Sequence, residues 1–222
     1  MNRDNAPKSP LDLLYDDAVA DSYETFKAEM PKAMLFPKKE ILRRFALRRG
    51  LDDGAQDGLI LELGVAGGLG IRLFAEILAR RKREITGFDS FVGLEEDWTG
   101  HHRGRQKGSF GQKGMLPEVP ENVHLVEGWI QDTLPPFLER TAPAPVSFVH
   151  MDMDTYTPTV FALGALRGRL KKGTVILFDE LYGYPGWREH EWKALGETLN
   201  PKSFRYIGFS REAIAIQMLK AA

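Results

Sequence analysis

Short apolar runs alternate with amphipathic segments through most of the chain. Most of these runs are too continuous for a strand with one solvated face and are typical of strands buried on both faces of a parallel sheet. The predicted strands are residues 58–63, 85–88, 123–126, 146–151, 174–178, 204–209 and 213–218. Helical patterns separate several of them, among them residues 71–81 and 160–170. This order predicts an α/β fold with a doubly wound, mostly parallel seven-stranded sheet.

Two regions depart from the regular alternation. The last two predicted strands are separated by a three-residue polar turn at 210–212, which predicts a C-terminal antiparallel hairpin. Residues 95–120 are too long for an ordinary connection and are interpreted as an insertion or a lid. A length of 222 residues accommodates one substantial α/β domain, so residues 1–222 are predicted to form a single domain.

Residues 1–50 are predicted to form an N-terminal helical addition. The pattern favours helices at 11–30 and 37–49, with Pro37 opening the second helix and Gly50 ending it. The positions expected to be buried in the first helix are Leu14, Val19, Tyr23 and Phe26. Three roles are open for this addition: covering a cofactor, completing the core, or forming the interface of a homodimer.

Charge and composition narrow the classes of partner. The chain has 30 basic and 31 acidic residues, and this net charge of −1 does not favour nucleic acid. Neither a membrane-spanning apolar run nor a secretory signal is present, so a cytoplasmic location and a small-molecule substrate are expected. Since the chain has no cysteine, a bound metal would need Asp, Glu, His or backbone oxygen ligands.

A glycine-rich turn follows the first predicted strand. Gly64, Gly67 and Gly68 stand there, and ligands of doubly wound sheets bind beyond the carboxyl ends of such strands. Glycines let the backbone approach a ligand closely and adopt positive φ angles. Asp89 ends the next strand, where its carboxylate can accept hydrogen bonds from ribose hydroxyls. The pattern indicates a nucleoside-containing ligand, and a turn built only for tight chain reversal is the alternative.

The glycines that are absent from the turn indicate which class of nucleoside-containing ligand it could bind. A nicotinamide dinucleotide site would use the spacing G-x-G-x-x-G, which requires glycine where Ala66 and Leu69 stand, or at Leu73. Glu62, just before the turn, suits a ligand with a positive ammonium and sulfonium better than a pyrophosphate. The turn therefore favours S-adenosylmethionine.

Several segments in the same order resemble class I methyltransferases, and more narrowly the macrocin O-methyltransferase-like family. The segments that carry the resemblance are 62–68 (Glu-Leu-Gly-Val-Ala-Gly-Gly), 89–94 (Asp-Ser-Phe-Val-Gly-Leu), 128–135 (Gly-Trp-Ile-Gln-Asp-Thr-Leu-Pro), 151–156 (Met-Asp-Met-Asp-Thr-Tyr) and 178–180 (Phe-Asp-Glu). The match spans about residues 59–192. It leaves out the N-terminal helices and carries little of the 95–120 insertion.

The resemblance implies a Rossmann-like methyltransferase fold and a set of site residues. The implied residues for S-adenosylmethionine are Glu62, Gly64, Gly67, Gly68, Asp89, Ser90, Gly128, Trp129, Ile130 and Asp152. The implied ligands of a divalent metal are Asp152, Asp154, Asp179 and Glu180. The chain departs from the family at the last pair, because members often show two aspartates where it has Asp179 and Glu180.

The same four acids indicate a metal site independently of the resemblance. They follow the fourth and fifth predicted strands, whose carboxyl ends converge at one edge of a parallel sheet. Crowded carboxylates require a cation or protons, and Mg²⁺ prefers oxygen ligands. Helix capping by Asp152 or Asp154 and solvation of Glu180 are the alternatives.

The predicted reaction is Mg²⁺-assisted O-methylation of a hydroxyl on a small molecule, such as a sugar or a secondary metabolite. Asp152 and His190 are the candidate catalytic residues, while His150 is interpreted as a hydrogen-bonded core histidine rather than a base. Two alternatives remain. One is a metal-independent methyltransferase, and the other is a non-catalytic protein that binds S-adenosylmethionine.

Overall fold

One eight-stranded sheet runs through residues 8–101 and 105–222, which the computed structural model describes. Its strands are β1 (Met34–Leu35), β2 (Leu59–Leu63), β3 (Ile85–Asp89), β4 (Val123–Glu127), β5 (Val146–Met151), β6 (Leu170–Phe178), β7 (Phe204–Ser210) and β8 (Ala213–Met218). Their spatial order is β1-β7-β8-β6-β5-β2-β3-β4. Only β8 runs antiparallel to its neighbours β6 and β7. The mostly parallel sheet and the C-terminal hairpin are thus confirmed.

Helices cover both faces of the sheet. They are α1 (Pro10–Phe26), α2 (Lys39–Asp53), α3 (Leu69–Ala79), α4 (Ile130–Arg140), α5 (Tyr156–Leu166) and α6 (Glu191–Thr198). One buried cluster joins α2 and α3 to the sheet, and a second joins α4, α5, α6 and the end of α1 to it. This arrangement is the predicted doubly wound fold. No described helix has the length and apolar character needed to cross a membrane.

The predicted number of seven strands is wrong by one. Strand β1 has only two residues, both exposed, and it lies in a short apolar stretch between Pro31 and Pro37 that is too brief to predict a strand. It exists because Met34 and Leu35 pair in parallel with Gly208 and Phe209 of β7. Residues 1–50 therefore contribute an edge strand as well as helices, and their first seven residues lie outside the described part of the chain.

The buried positions predicted for α1 are mostly wrong. Leu14, Val19 and Tyr23 are at least half exposed, whereas Phe26 is buried, as expected. The helix packs through Ala18, Ser22 and Phe26, a spacing of four residues along one helix face, and small side chains at the first two allow close approach. The homodimer predicted from exposed apolar faces of this region stays a prediction.

Helix α2 is longer than predicted because Gly50 does not end it. The helix continues to Asp53, and Gly50 lies on the face that packs against β5. A Cβ atom at Gly50 would lie 2.8 Å from the carbonyl oxygen of Ser147 and 2.9 Å from the Cβ of Phe148. The glycine therefore serves close packing of helix on sheet rather than termination.

The predicted insertion is largely hydrogen-bonded where the structure describes it, with residues 102–104 outside the described part. Leu94 and Trp98 donate backbone hydrogen bonds to Ser109 and Arg105, which folds the segment back on itself. The carboxylate of Glu96 accepts hydrogen bonds from the backbone and hydroxyl of Thr157, both at 2.8 Å. The described part is thereby fastened to the start of α5.

Candidate active site

A cavity of about 280 Å³ opens where five parallel strands end. Much of its lining comes from residues at or directly after the ends of β2, β3, β4, β5 and β6. The predicted site residues that line it are Gly64, Asp89, Ser90, Gly128, Trp129, Ile130, Asp152, Asp154, Asp179 and Glu180. The topology thus brings most of the predicted cofactor and metal residues together, while Glu62, Gly67, Gly68 and His190 are not among the lining residues.

The glycine turn after β2 is shaped by contacts below it. Gly64 has a φ of +91°, and a Cβ atom there would lie 1.8 Å from the backbone oxygen of Asp152. Only glycine allows the ends of β2 and β5 to approach so closely. Gly68, at a φ of +79°, is the N-cap of α3, whereas Gly67 has no atom within 4 Å of such a Cβ.

Asp89 organises the turn as well as facing the cavity. Its Oδ2 accepts hydrogen bonds from the backbone N–H groups of Val65 (2.8 Å) and Ala66 (2.7 Å). Its Oδ1 accepts one from the N–H of Phe91 (2.6 Å). A carboxylate has about four acceptor positions. Within the described part of the chain, one acceptor position on Oδ1 is therefore left for a ligand hydroxyl, and Asp89 lines the cavity.

Glu62 and His150 form a buried pair beneath the cavity floor. Glu62 Oε1 lies 2.9 Å from His150 Nδ1, and His150 Nε2 lies 3.2 Å from Asp179 Oδ1. Burial raises the pKa of Glu62 to about 7. Burial would lower the pKa of His150, but its hydrogen bonds to Asp179 and Glu62 outweigh burial and raise it to about 10. His150 is therefore a hydrogen-bonded core histidine that links three strands.

Two cations from α2 reach the acidic edge of the cavity, and the sequence analysis missed both. Arg43 Nε donates a hydrogen bond to Asp179 Oδ1 at 2.9 Å, and Arg43 Nη2 forms an ion pair with the same oxygen at 2.7 Å. Lys39 lies one turn earlier on the same helix face, with Nζ 3.2 Å from Asp179 Oδ2. Residues 39, 43, 46 and 50 form one stripe, and the signal available in the sequence was its residue types: two basic residues followed at helical spacing by two small ones.

The four predicted metal ligands fall into two groups. One carboxylate oxygen each from Asp152, Asp154 and Glu180 lie within 4.8 Å of one another. Asp179 is held by Arg43 and Lys39. Burial would raise its pKa, but the hydrogen bond from His150 and these two cations hold the pKa well below its usual range. Asp179 is thus an ionised anchor for α2.

The other carboxyl groups have less compensation. Burial, followed by the charge of Glu180, raises the pKa of Asp154 well above its usual range. Asp154 also has a φ of +64°, an uncommon backbone conformation that clusters at functional sites. Glu180 donates its backbone N–H to Glu191 Oε2 at 3.1 Å, and its own Oε2 has no partner within the described part of the chain. This edge of the cavity is therefore short of positive charge.

His190 does not reach the cavity. Its Nε2 lies 3.0 Å from the backbone oxygen of Thr99, and its ring is stacked with that of Tyr184. Burial lowers its pKa. His190 therefore helps to hold the backbone of the insertion at Thr99. Its Nε2 contacts that carbonyl oxygen, and His190 is not among the residues that line the cavity. Trp187, three residues before it, is buried in the core.

Further cavity residues come from regions without a recognisable motif. Arg43 enters from α2, and Glu95, Trp98 and Phe110 enter from the predicted insertion. Arg105 lies over the Phe110 ring at 5.0 Å. The part of the insertion that the structure describes thus supplies one wall of the cavity.

Comparisons with known proteins agree with this architecture. A family model described as a methyltransferase domain matches residues 61–181, more than half of the chain. The solved structure of the calicheamicin methyltransferase CalS11 superposes with a TM-score of 0.64 at 22% identity, covering 96% of this chain and 94% of that one. The O-methyltransferase NovP gives a TM-score of 0.60 at 22% identity, covering 82% and 80%.

A third structure, cofactor-bound Rv0187 from MTB, gives a TM-score of 0.51 at 17% identity and covers 98% of this chain and 100% of that one. No functionally curated protein matches the sequence. The family match spans the strands, the glycine turn and the acidic edge that form the cavity. The chain belongs to this methyltransferase-domain family and is a class I S-adenosylmethionine-dependent methyltransferase.

Proposed function

We propose that this enzyme transfers the methyl group of S-adenosylmethionine to a hydroxyl oxygen of a small molecule, with help from Mg²⁺. One observation carries the proposal: the carboxylates of Asp152, Asp154 and Glu180 stand at one end of a cavity whose other end has the features of a nucleoside site. A bound donor and the acid groups would therefore share one cavity.

The donor is assigned to the end of the cavity near β2, β3 and β4. Asp89 has an acceptor position left for the ribose, and Trp129 with Ile130 offers an apolar wall for adenine. At Gly64 the cavity wall is bare backbone, and the methionine part of S-adenosylmethionine is assigned to this position. A volume of about 280 Å³ is close to the lower end of ligand pockets, which span roughly 300–1,000 Å³.

Asp152 is the proposed proton acceptor. Its side chain is 28% exposed, the most open of the four acids, and it follows β5 beside the glycine turn. Burial and the charge of Asp179 raise its pKa, which makes it a stronger base. The acceptor oxygen attacks the methyl carbon in line, the carbon–sulfur bond breaks with its electron pair left on sulfur, and the hydroxyl proton passes to Asp152.

The residues present suit a hard divalent cation. Asp152, Asp154 and Glu180 each offer an oxygen, and the unpartnered Glu180 Oε2 is a buried acceptor that needs a donor or a cation. A bound Mg²⁺ would make the acceptor hydroxyl more acidic and hold it in place. Asp179 is left out of this ligand set, unlike in the prediction from sequence, because Arg43 and Lys39 already occupy its oxygens.

A metal-independent methyltransferase is the second candidate. The observation that favours it is the presence of Lys39 and Arg43, which bring two positive charges to the acidic edge without any metal. In that case Asp152 alone would accept the proton. The two candidates differ in whether a chelator abolishes turnover.

The acceptor to test first carries a sugar hydroxyl. CalS11 is described as a TDP-rhamnose 3′-O-methyltransferase, and its fold covers nearly the whole of this chain. The mixed wall of Trp98, Phe110 and carboxylates also suits a molecule with both apolar and hydroxyl surfaces. Nucleotide sugars and glycosylated aromatic compounds therefore form the first panel.

The test combines donor binding, metal binding and methyl transfer. Calorimetry with S-adenosylhomocysteine measures the donor site, Mn²⁺ paramagnetic resonance measures the metal site, and labelled S-adenosylmethionine reports turnover on the panel. Asp154→Asn is expected to weaken Mn²⁺ binding and lower turnover at least about 100-fold, with donor-product affinity nearly unchanged. Asp132→Asn, an exposed acid in α4, is the matched control and should change none of the three.

Two outcomes contradict the proposal in different ways. Full turnover in excess chelator, with Asp154→Asn as active as the parent enzyme, removes the metal and leaves the second candidate. Methyl transfer to nitrogen or carbon instead of oxygen, located by mass spectrometry of the product, removes O-methylation.

A further inference from the structure

Lys39 lies among three carboxylates at the acidic edge of the cavity. Its Nζ is 2.7 Å from Glu180 Oε1, 3.2 Å from Asp179 Oδ2 and 3.3 Å from Glu212 Oε2, and its side chain is 21% exposed. Burial would lower the pKa of Lys39, but the charges of Glu180 and Asp179 outweigh burial and raise it. The amine is therefore a permanent positive charge at neutral pH.

This contact differs from the one made by Arg43. Arg43 binds Asp179 through two nitrogens and approaches Asp152 only at 3.6 Å. Lys39 instead contacts Glu180, which also belongs to the set of three acids suited to a divalent cation. Lys39 and a divalent cation would thus compete for the carboxylate of Glu180.

The fold also explains how a lysine comes to this position. Lys39 is the first residue of α2, and the helix is fixed on the sheet by Leu42, Ala46 and Gly50. The lysine is held at the edge of the cavity by the helix that carries it. Lys38, immediately before it, is exposed and makes no ion pair with a described carboxylate.

We propose that Lys39 is the built-in counter-cation of this site: it compensates Glu180 and Asp179 when no divalent cation is bound, and it weakens the affinity for one. The inference rests on the metal assistance in the proposed function. Two effects act in the same direction, since Lys39 repels an incoming cation and competes with it for Glu180. Removing the lysine charge should therefore tighten the binding of a divalent cation. It should also destabilise the metal-free enzyme, and bound metal should restore most of that stability.

The experiment compares Lys39→Met with Lys38→Met in the full chain. Mn²⁺ is titrated into each protein and the free ion is measured by paramagnetic resonance. Lys39→Met is expected to bind Mn²⁺ at least about tenfold more tightly than the parent enzyme, and Lys38→Met to match the parent. In thermal unfolding, Lys39→Met should melt below the parent in chelator and recover most of the difference in saturating Mg²⁺.

The outcomes separate this inference from the proposed function. Equal or weaker Mn²⁺ binding by Lys39→Met, with normal binding by the parent, overturns the role of Lys39 and leaves the metal site intact. Absence of Mn²⁺ binding from the parent and both variants overturns the metal site as well. If Lys39→Met does not fold, Lys39→Gln keeps a polar side chain without the charge and is held to the same tenfold criterion.

Discussion

At the scale of single residues, glycines in the same turn differ in how much space surrounds them. This space determines which of them could be replaced by a residue with a side chain. Gly64 has positive φ and no room for a side chain, while Gly67 is open on the side where a Cβ would project. The sequence predicted that the turn needs glycine but did not distinguish its members. The distinction comes from the backbone of Asp152, which directly follows another strand, β5.

Replacing these glycines with alanine should separate the two cases. Gly64→Ala is expected to lower the free energy of unfolding by at least about 2 kcal/mol, because the methyl group needs a strained φ and displaces the Asp152 backbone. Gly67→Ala, the matched control, should change it by less than about 0.5 kcal/mol. Urea denaturation measures both, and equal losses would contradict this account of the turn.

Helix α2 shows how an element acquires its role through one face. Its stripe of Lys39, Arg43, Ala46 and Gly50 is basic at the site end and small where it packs on β5. The interpretation of residues 1–50 as an addition left three roles open. The structure assigns α2 to completing the core and placing two cations at the cavity, a combination that the sequence analysis did not identify.

Arg43 should account for much of the stability of this contact. Arg43→Met leaves the buried Asp179 without its shortest side-chain hydrogen bond (2.9 Å, from Arg43 Nε) and its closest ion-pair contact (2.7 Å, to Nη2), so we expect a loss of about 3 kcal/mol in the free energy of unfolding. The neighbouring Arg44 pairs with Glu40 and Glu76 at the surface, and Arg44→Met should cost less than about 1 kcal/mol. Chemical denaturation of the two variants tests the contrast, which fails if both losses are small.

At the scale of the whole molecule, the network around His150 couples stability to pH. The histidine links Glu62 of β2 to Asp179 after β6 and is fully buried. Its pKa of about 10 in the folded protein lies above the ordinary value of 6.5. Its stabilising contribution is therefore complete below about pH 6.5 and is lost as the pH rises through about 10.

The melting temperature should accordingly fall between pH 7.5 and pH 9.5. The fall is expected to be less steep in His150→Gln, which has no ring to titrate, even though this variant starts from a lower melting temperature. His124 is exposed and pairs with Glu84, so His124→Gln should keep the slope of the parent enzyme. Parallel pH profiles for the parent and His150→Gln would contradict the assignment of the slope to this histidine.

The sequence by itself determined the class of fold, the order of the long strands along the chain, the glycine turn and about half of the residues that line the cavity. These features depend on local periodicity and on residues that directly follow strands, and both can be recognised along the chain. Strand β1 and the exposure of α1 escaped this reasoning, because a two-residue strand and a helix face are defined by what they contact.

Only the tertiary structure decided the electrostatics of the site. Lys39 meets Asp179 across 140 positions of sequence, and Arg43 meets it across 136. Because of these contacts, Asp179, which the sequence predicted as a metal ligand, is ion-paired with α2. His190 contacts the backbone oxygen of Thr99 and does not line the cavity. A run of residues fixes which charges are present, but the packing of α2 on the sheet fixes which carboxylates they neutralise.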